Sequence, residues 1–212
     1  MQKVQALSLK VVVYFTLSDL ITDIAQNGTE AGAAFVELSV SETFEQGGKS
    51  FLHFCVKDNG KGMSEIEMRQ ARHPFVTDGI KHPDRKVGLG LPFLIQTAEQ
   101  SGGGWKMGSK KKPAVPAGTT VSAWFDLGNV DTPPKGDISG MFRTVLLFSG
   151  PDEVLIKRVK ETFRGRVDYE VRKSELVDAL GSLENSQSLI LLDKYLRSLE
   201  ESEDINNINA GG

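Results

Sequence analysis

Hydrophobic positions along the chain switch between helical and strand periods, and the order of the switches outlines an α+β fold. Residues 5–15 (QALSLKVVVYF) are rich in β-branched and aromatic side chains and predict a strand. Leu17, Leu20, Ile21, Ile24 and Ala25 then recur at helical spacing, so a helix runs to about Glu30, with Thr16 or Ser18 as N-cap and Gly32 as its stop. Residues 34–40 (AFVELSV) alternate, a turn falls at Gln46-Gly47-Gly48-Lys49, and residues 51–58 (FLHFCVKD) return as a strand. Residues 59–90 lack either period apart from a short helical stretch at 65–72, and a loop of that length usually carries function. A helix over 91–101 closes at Gly102-Gly103-Gly104, and strands at 105–109 and 119–127 flank a loop with three lysines and two prolines.

The polar stretch 128–137, with Pro133-Pro134, reads as a linker. Beyond it, Asp137 caps a helix that runs to a stop at Gly150-Pro151. Residues 153–172 fit two patterns: Leu155, Val159 and Phe163 suit a helix, while Val167, Tyr169 and Val171 alternate as a strand. The hairpin, turning at Arg164-Gly165, is favoured. Short and long helices follow at 174–180 and 187–201, and residues 202–212 are expected to be a disordered tail. The expected organisation is a main domain over 1–128, a linker at 129–137 and a small helix–hairpin–helix module at 138–201.

With 212 residues, 39% of them hydrophobic, the chain is long enough for that arrangement. A net charge of −3 gives no overall pull toward nucleic acid or an anionic membrane. The triple lysine at 110–112 reads as a solvated hairpin tip. A single cysteine, Cys55, excludes an internal disulfide and suits a cytoplasmic location. The apolar run from residue 11 to 17 is too short to span a bilayer, and no cleavable signal pattern begins the chain.

Four short constellations carry candidate chemistry. Asp23 and Asn27 lie four residues apart on one face of the first helix. An Asn amide oxygen suits Mg²⁺, which takes oxygen donors and draws the rest from phosphates and water. A carboxylate one turn earlier can orient or deprotonate an attacking water. Asp58-Asn59-Gly60-Lys61-Gly62 follows a strand whose inward row is Leu52, Phe54, Val56 and Asp58. Asp58 can accept from an adenine amino group, and Gly60 and Gly62 leave room for a flat base. Gly88-Leu89-Gly90 opens a helix whose N-terminal N–H groups attract phosphate, with Arg85 and Lys86 just before it. Gly118-Thr119 opens the last strand of the main domain, where a Thr hydroxyl can join an adenine-binding water network. Each has a bland structural reading alone: a solvated helix face, a strand-ending turn, a glycine loop, an ordinary strand threonine.

In order and context they resemble the GHKL family, whose members include gyrase B, MutL and the ATP-binding domains of histidine kinases. TLSDLITDIAQNGTEAGA resembles its N box, VKDNGKGM its G1 box, RKVGLGL its G2 box, HPFVTDG its lid motif and AGTTVSAWF its final strand motif. The resemblance implies a Bergerat fold: a two-layer α/β sandwich, a mixed and mostly antiparallel sheet with helices on one face. It implies ATP and Mg²⁺ as cofactors. Asn27 would ligate the metal, and Asp58, Gly60, Gly62 and Thr119 would hold adenine. Lys86, Gly88, Leu89 and Gly90 would hold the phosphates, and Asp23 would be the catalytic carboxylate. Two positions depart from the pattern. Asp23 stands for the usual Glu, one methylene shorter. Gly28 follows Asn27 where Ser is common, which loosens a helix by about 1 kcal/mol relative to Ala. The Pro-Pro-Lys-Gly-Asp linker and the helix–hairpin–helix arrangement beyond it are similar to small stand-alone ATP-binding proteins often encoded beside iron-hydrogenase subunits. That likeness implies, by analogy only, a hydrogenase-related protein partner.

Self-phosphorylation needs an acceptor histidine on a dimerisation helix. None of His53, His73 and His82 fits such a place. Three readings stay open: a kinase acting in trans, an ATPase whose lid closure changes partner binding, and a nucleotide sensor with little turnover. The outer face of the strand at 51–58 carries Phe51, His53 and Cys55, and is expected to be covered by the C-terminal module or by a partner.

Overall fold

The helical spacing after Thr16 becomes helix α1, Leu17–Glu30. Thr16 is its N-cap, in a capping box: Thr16 accepts from the Asp19 N–H while Asp19 accepts from the Thr16 N–H. The computed structural model describes residues 15–45, 48–72, 89–162 and 165–201. Residues 5–14 of the predicted strand, the Gln46-Gly47 half of the first turn, the expected lid segment at 73–88, Phe163 and Arg164 of the expected hairpin, and the tail at 202–212 lie outside the described residues.

Strands β1 (Phe35–Phe44) and β2 (Ser50–Asp58) form an antiparallel hairpin. Helices α2 (Glu65–Arg72) and α3 (Gly90–Gln100) follow, then β3 (Gly104–Lys110) and β4 (Gly118–Asp126). After α4 (Ile138–Leu146), strands β5 (Glu153–Thr162) and β6 (Gly165–Arg172) pair antiparallel, as the favoured hairpin requires, followed by α5 (Lys173–Leu180) and α6 (Ser186–Glu201). One sheet of order β3-β4-β2-β1-β5-β6 results, antiparallel except where β5 lies parallel to β1. The protein is thus α+β, with a mixed, mostly antiparallel sheet. The C-terminal hairpin extends the sheet of the N-terminal elements, and its helices join their core.

That core lies on one face of the sheet. Leu17, Leu20, Ile21 and Ile24 of α1, Leu94 of α3, Phe142 and Val145 of α4, and Leu192 and Leu196 of α6 cluster against Val36, Leu38, Leu52, Phe54, Phe125 and Ile156. Burying one such side chain contributes about 1.5–3 kcal/mol. The stretch before α4 docks on the start of α1, where Pro134 O and Lys135 O accept from the Leu17 and Ser18 N–H groups (2.9 and 3.0 Å).

β1 runs four residues beyond the alternating segment 34–40, an extension the hydrophobic pattern conceals, because Glu42 occupies an inward position that patterning assigns to an apolar residue. Its partner is Arg158 of β5, whose side chain is fully buried. Arg158 also donates to Glu200 of α6 (2.9 Å), Lys135 donates to Glu42 (2.8 Å), and the Tyr169 hydroxyl donates to Glu200 (2.7 Å). Burial alone would raise the Glu42 carboxyl, but Lys135 and Arg158 outweigh it and hold the group below its ordinary value.

The other face carries Ser39, Ser41, His53, Cys55, Ser122 and Trp124 around a shallow hollow. The C-terminal module does not cover it, which corrects that half of the sequence expectation: α4 and α6 pack beside α1 on the opposite face. Phe51 remains partly exposed.

Candidate functional site

Because strand side chains alternate, the ladder brings one residue from each of four neighbouring strands into a row on the helix-covered face. Ser109 pairs with Thr119, Thr119 with Asp58, and Asp58 with Val36. The C-terminal half of α1 lies over this row. A Cβ at Gly28 would stand 3.0 Å from the Asp58 Cβ and 3.5 Å from Val36 Cγ2. The glycine after Asn27 therefore has a packing reason. It lets the helix close on Asp58, and this offsets its low helix propensity.

Asp58 is 9% exposed. Its Oδ1 accepts from the Gly60 N–H (2.8 Å), and the Thr119 backbone pairs beside it. Burial pushes the Asp58 carboxyl above its ordinary value, against the lowering effect of the neighbouring backbone N–H groups. An ionised carboxylate has about four acceptor positions, so capacity remains for a ligand.

The loop after Asp58 is fixed on both sides. Asn59 Oδ1 accepts from the Ala34 and Phe35 N–H groups (2.9 Å each), and the Lys61 N–H donates to Ala31 O (3.0 Å). A Cβ at Gly60 would meet the Ala31 Cβ and carbonyl at 2.9 Å. Gly62 has φ +64°, and a Cβ there would run into the Lys110 carbonyl. Gly118, at φ +134°, likewise backs onto the Asp58 carbonyl. Both positions need glycine for conformation and for space. Sequence reasoning picked out the glycines and missed two side chains: Asn59, which straps the loop to β1, and Ser109, which bonds Met63, Gly118 and Thr119. Asn59 was visible as the middle of Asp-Asn-Gly; Ser109 had no local signal.

Asn27 is exposed near the end of α1, with Asp23 half-buried one turn earlier. Gly90 starts α3, with Leu89 at the N-cap position, whose side chain makes no capping hydrogen bond. The far end of α3 is held at the foot of β4, where the Asn129 side chain donates to Gln100 O (3.4 Å). A helix of 11 residues packed along β3 and β4 spans about 16 Å and so begins near their other end, where Thr119 lies. Lys86 and Gly88 fall outside the described residues.

The β3–β4 hairpin tip adjoins this loop. Lys111 pairs with Glu67 of α2 (2.7 Å), and the Lys112 N–H donates to Lys61 O. Lys111 and the Ser64 cap hold the exposed Glu67 carboxyl down at about 2.

A sequence profile described as the histidine kinase-, DNA gyrase B- and HSP90-like ATPase matches residues 11–129, more than half of the chain. Among solved structures, the chain is similar to the mycobacterial sensor histidine kinase MprB, with 17% identity, a TM-score of 0.37, and coverage of 50% of this chain and 69% of that one. It is similar to the N-terminal domain of a DNA repair protein (10% identity, TM-score 0.44, 76% and 52% covered). It is also similar to the Aquifex aeolicus MutL ATPase domain complexed with ADP (15% identity, TM-score 0.47, 84% and 70% covered). No curated protein sequence matches it.

Proposed function

The chain belongs to the histidine kinase-, DNA gyrase B- and HSP90-like ATPase family, and we propose that it binds Mg·ATP over the Asp58 row and uses it on a partner protein, as a kinase in trans or a regulatory ATPase. The observation that carries this reading is the convergence at Asp58: a buried carboxylate with spare acceptor capacity, closed on by Gly28 and flanked by Gly60 and Thr119. An adenine amino group fits such an acceptor.

The residues present fit Mg²⁺ as a companion of the nucleotide. Among the described residues no three His, Cys, Asp or Glu side chains converge as a metal cage. One amide oxygen at Asn27, with phosphates and water, is the donor set such an ion accepts. Magnesium would neutralise phosphate charge there, while the N-terminal end of α3 would add helix-dipole attraction. Asp23, one turn from Asn27, would orient a nucleophile. Its short side chain favours a second reading, a sensor that holds ATP with little turnover. His53, on the outer face of β2, is remote from this row.

Incubation with ATP labelled at the γ-phosphate separates the readings. The expected result is label in free phosphate, or on an added candidate partner, with none retained covalently on this chain. Label stably attached to the chain itself would contradict action in trans; intact bound ATP alone would favour the sensor.

A further inference from the structure

Ser109 ends the row at β3, and its hydroxyl is fully engaged. A serine hydroxyl has one proton and two lone pairs. The Met63 N–H donates to Ser109 Oγ at 2.8 Å. The Gly118 carbonyl, 3.0 Å away, can only accept, so the serine proton goes there. Thr119 Oγ1, at 2.9 Å, must then donate its own proton into the remaining lone pair. The Thr119 oxygen is left with lone pairs only, beside an acceptor-only carboxylate at Asp58.

We propose that Ser109 sets the base selectivity of the nucleotide site: by taking the Thr119 proton, it holds Thr119 as an acceptor next to Asp58. The pocket floor then favours a purine with a 6-amino group and disfavours one with a 6-carbonyl, whose oxygen would face two acceptors. Ser109 is a positioning residue that acts through Thr119. Its removal frees the threonine hydroxyl to turn and donate to a 6-carbonyl. The inference rests on the nucleotide reading above.

The test is calorimetric titration of the whole chain with ADP and with IDP, which carries a carbonyl in place of the amino group. Ser109→Ala is expected to lower the ADP-over-IDP affinity ratio about tenfold, the worth of one hydrogen bond. Ser109→Thr, which keeps a hydroxyl, is expected to restore the ratio. Thr119→Val removes the acceptor itself while keeping the β-branched shape, and should lower the ratio equally, so the idea stays testable if Ser109→Ala fails to fold. A loss of packing would weaken both nucleotides alike and leave their ratio unmoved. An unchanged ratio in Ser109→Ala or in Thr119→Val overturns the proposal, as does a fallen ratio that Ser109→Thr does not restore. A wild-type chain that binds neither nucleotide overturns the nucleotide reading as well.

Discussion

Asp58→Ala is expected to weaken ADP binding by about 10- to 100-fold, measured by calorimetry on a chain that still melts cooperatively. The magnitude follows from the cost of leaving a buried amino donor without its acceptor, about 1–3 kcal/mol. The substitution also releases the Gly60 N–H, so some of the loss comes from a slackened loop. Ionisation supplies a second check. The ionised carboxylate is the accepting form, and burial sets its pKa above the ordinary aspartate value of 3.8. Affinity should therefore be full at neutral pH and fall as pH drops through that raised value, sooner than an exposed aspartate would allow. Equal affinities in wild type and Asp58→Ala would remove the carboxylate from the site.

The second large effect is on stability and lies at the other end of β1. Arg158→Met is expected to cost about 3–5 kcal/mol, because it strands the Glu42 and Glu200 carboxylates in a largely buried place. For a chain of this length that is a fall of about 10 °C in Tm. Glu42 adds a pH signature. Its folded pKa is depressed, so its stabilisation is complete above the ordinary value of 4.5 and is lost as pH falls below it. ADP affinity below the transition should be unaffected, since Val36, not Glu42, pairs with Asp58. A small Tm change would mean that Lys135 and Tyr169 alone satisfy the two carboxylates.

These two sites show what patterning does and does not reveal. Where burial follows a local period, as in α1 or the inward row of β2, the element and its facing were legible from the chain alone. Asp58 was legible because it ends such a row in front of a glycine turn. Glu42 and Arg158 were not: each breaks the apolar alternation of its strand, and the compensation comes from a residue 116 positions away. The hairpin at 153–172 could be favoured over a helix, yet its parallel seat beside β1 depends on long-range pairing. Ser109 is hidden for a similar reason. A serine near a strand end has many uses, and only the register from β3 through β4 to β2 places it two strands from Asp58. Gly28 looked like a departure that weakens its helix until its distance from Asp58 gave it a purpose.

The most direct test of the nucleotide reading is a crystal structure of the chain with ADP and Mg²⁺. The account predicts the adenine amino group within hydrogen-bonding distance of Asp58, the base against Gly60 and Gly62, and the phosphates between Asn27 and the start of α3. Nucleotide bound elsewhere, or density only on the outer face around His53 and Trp124, would contradict it.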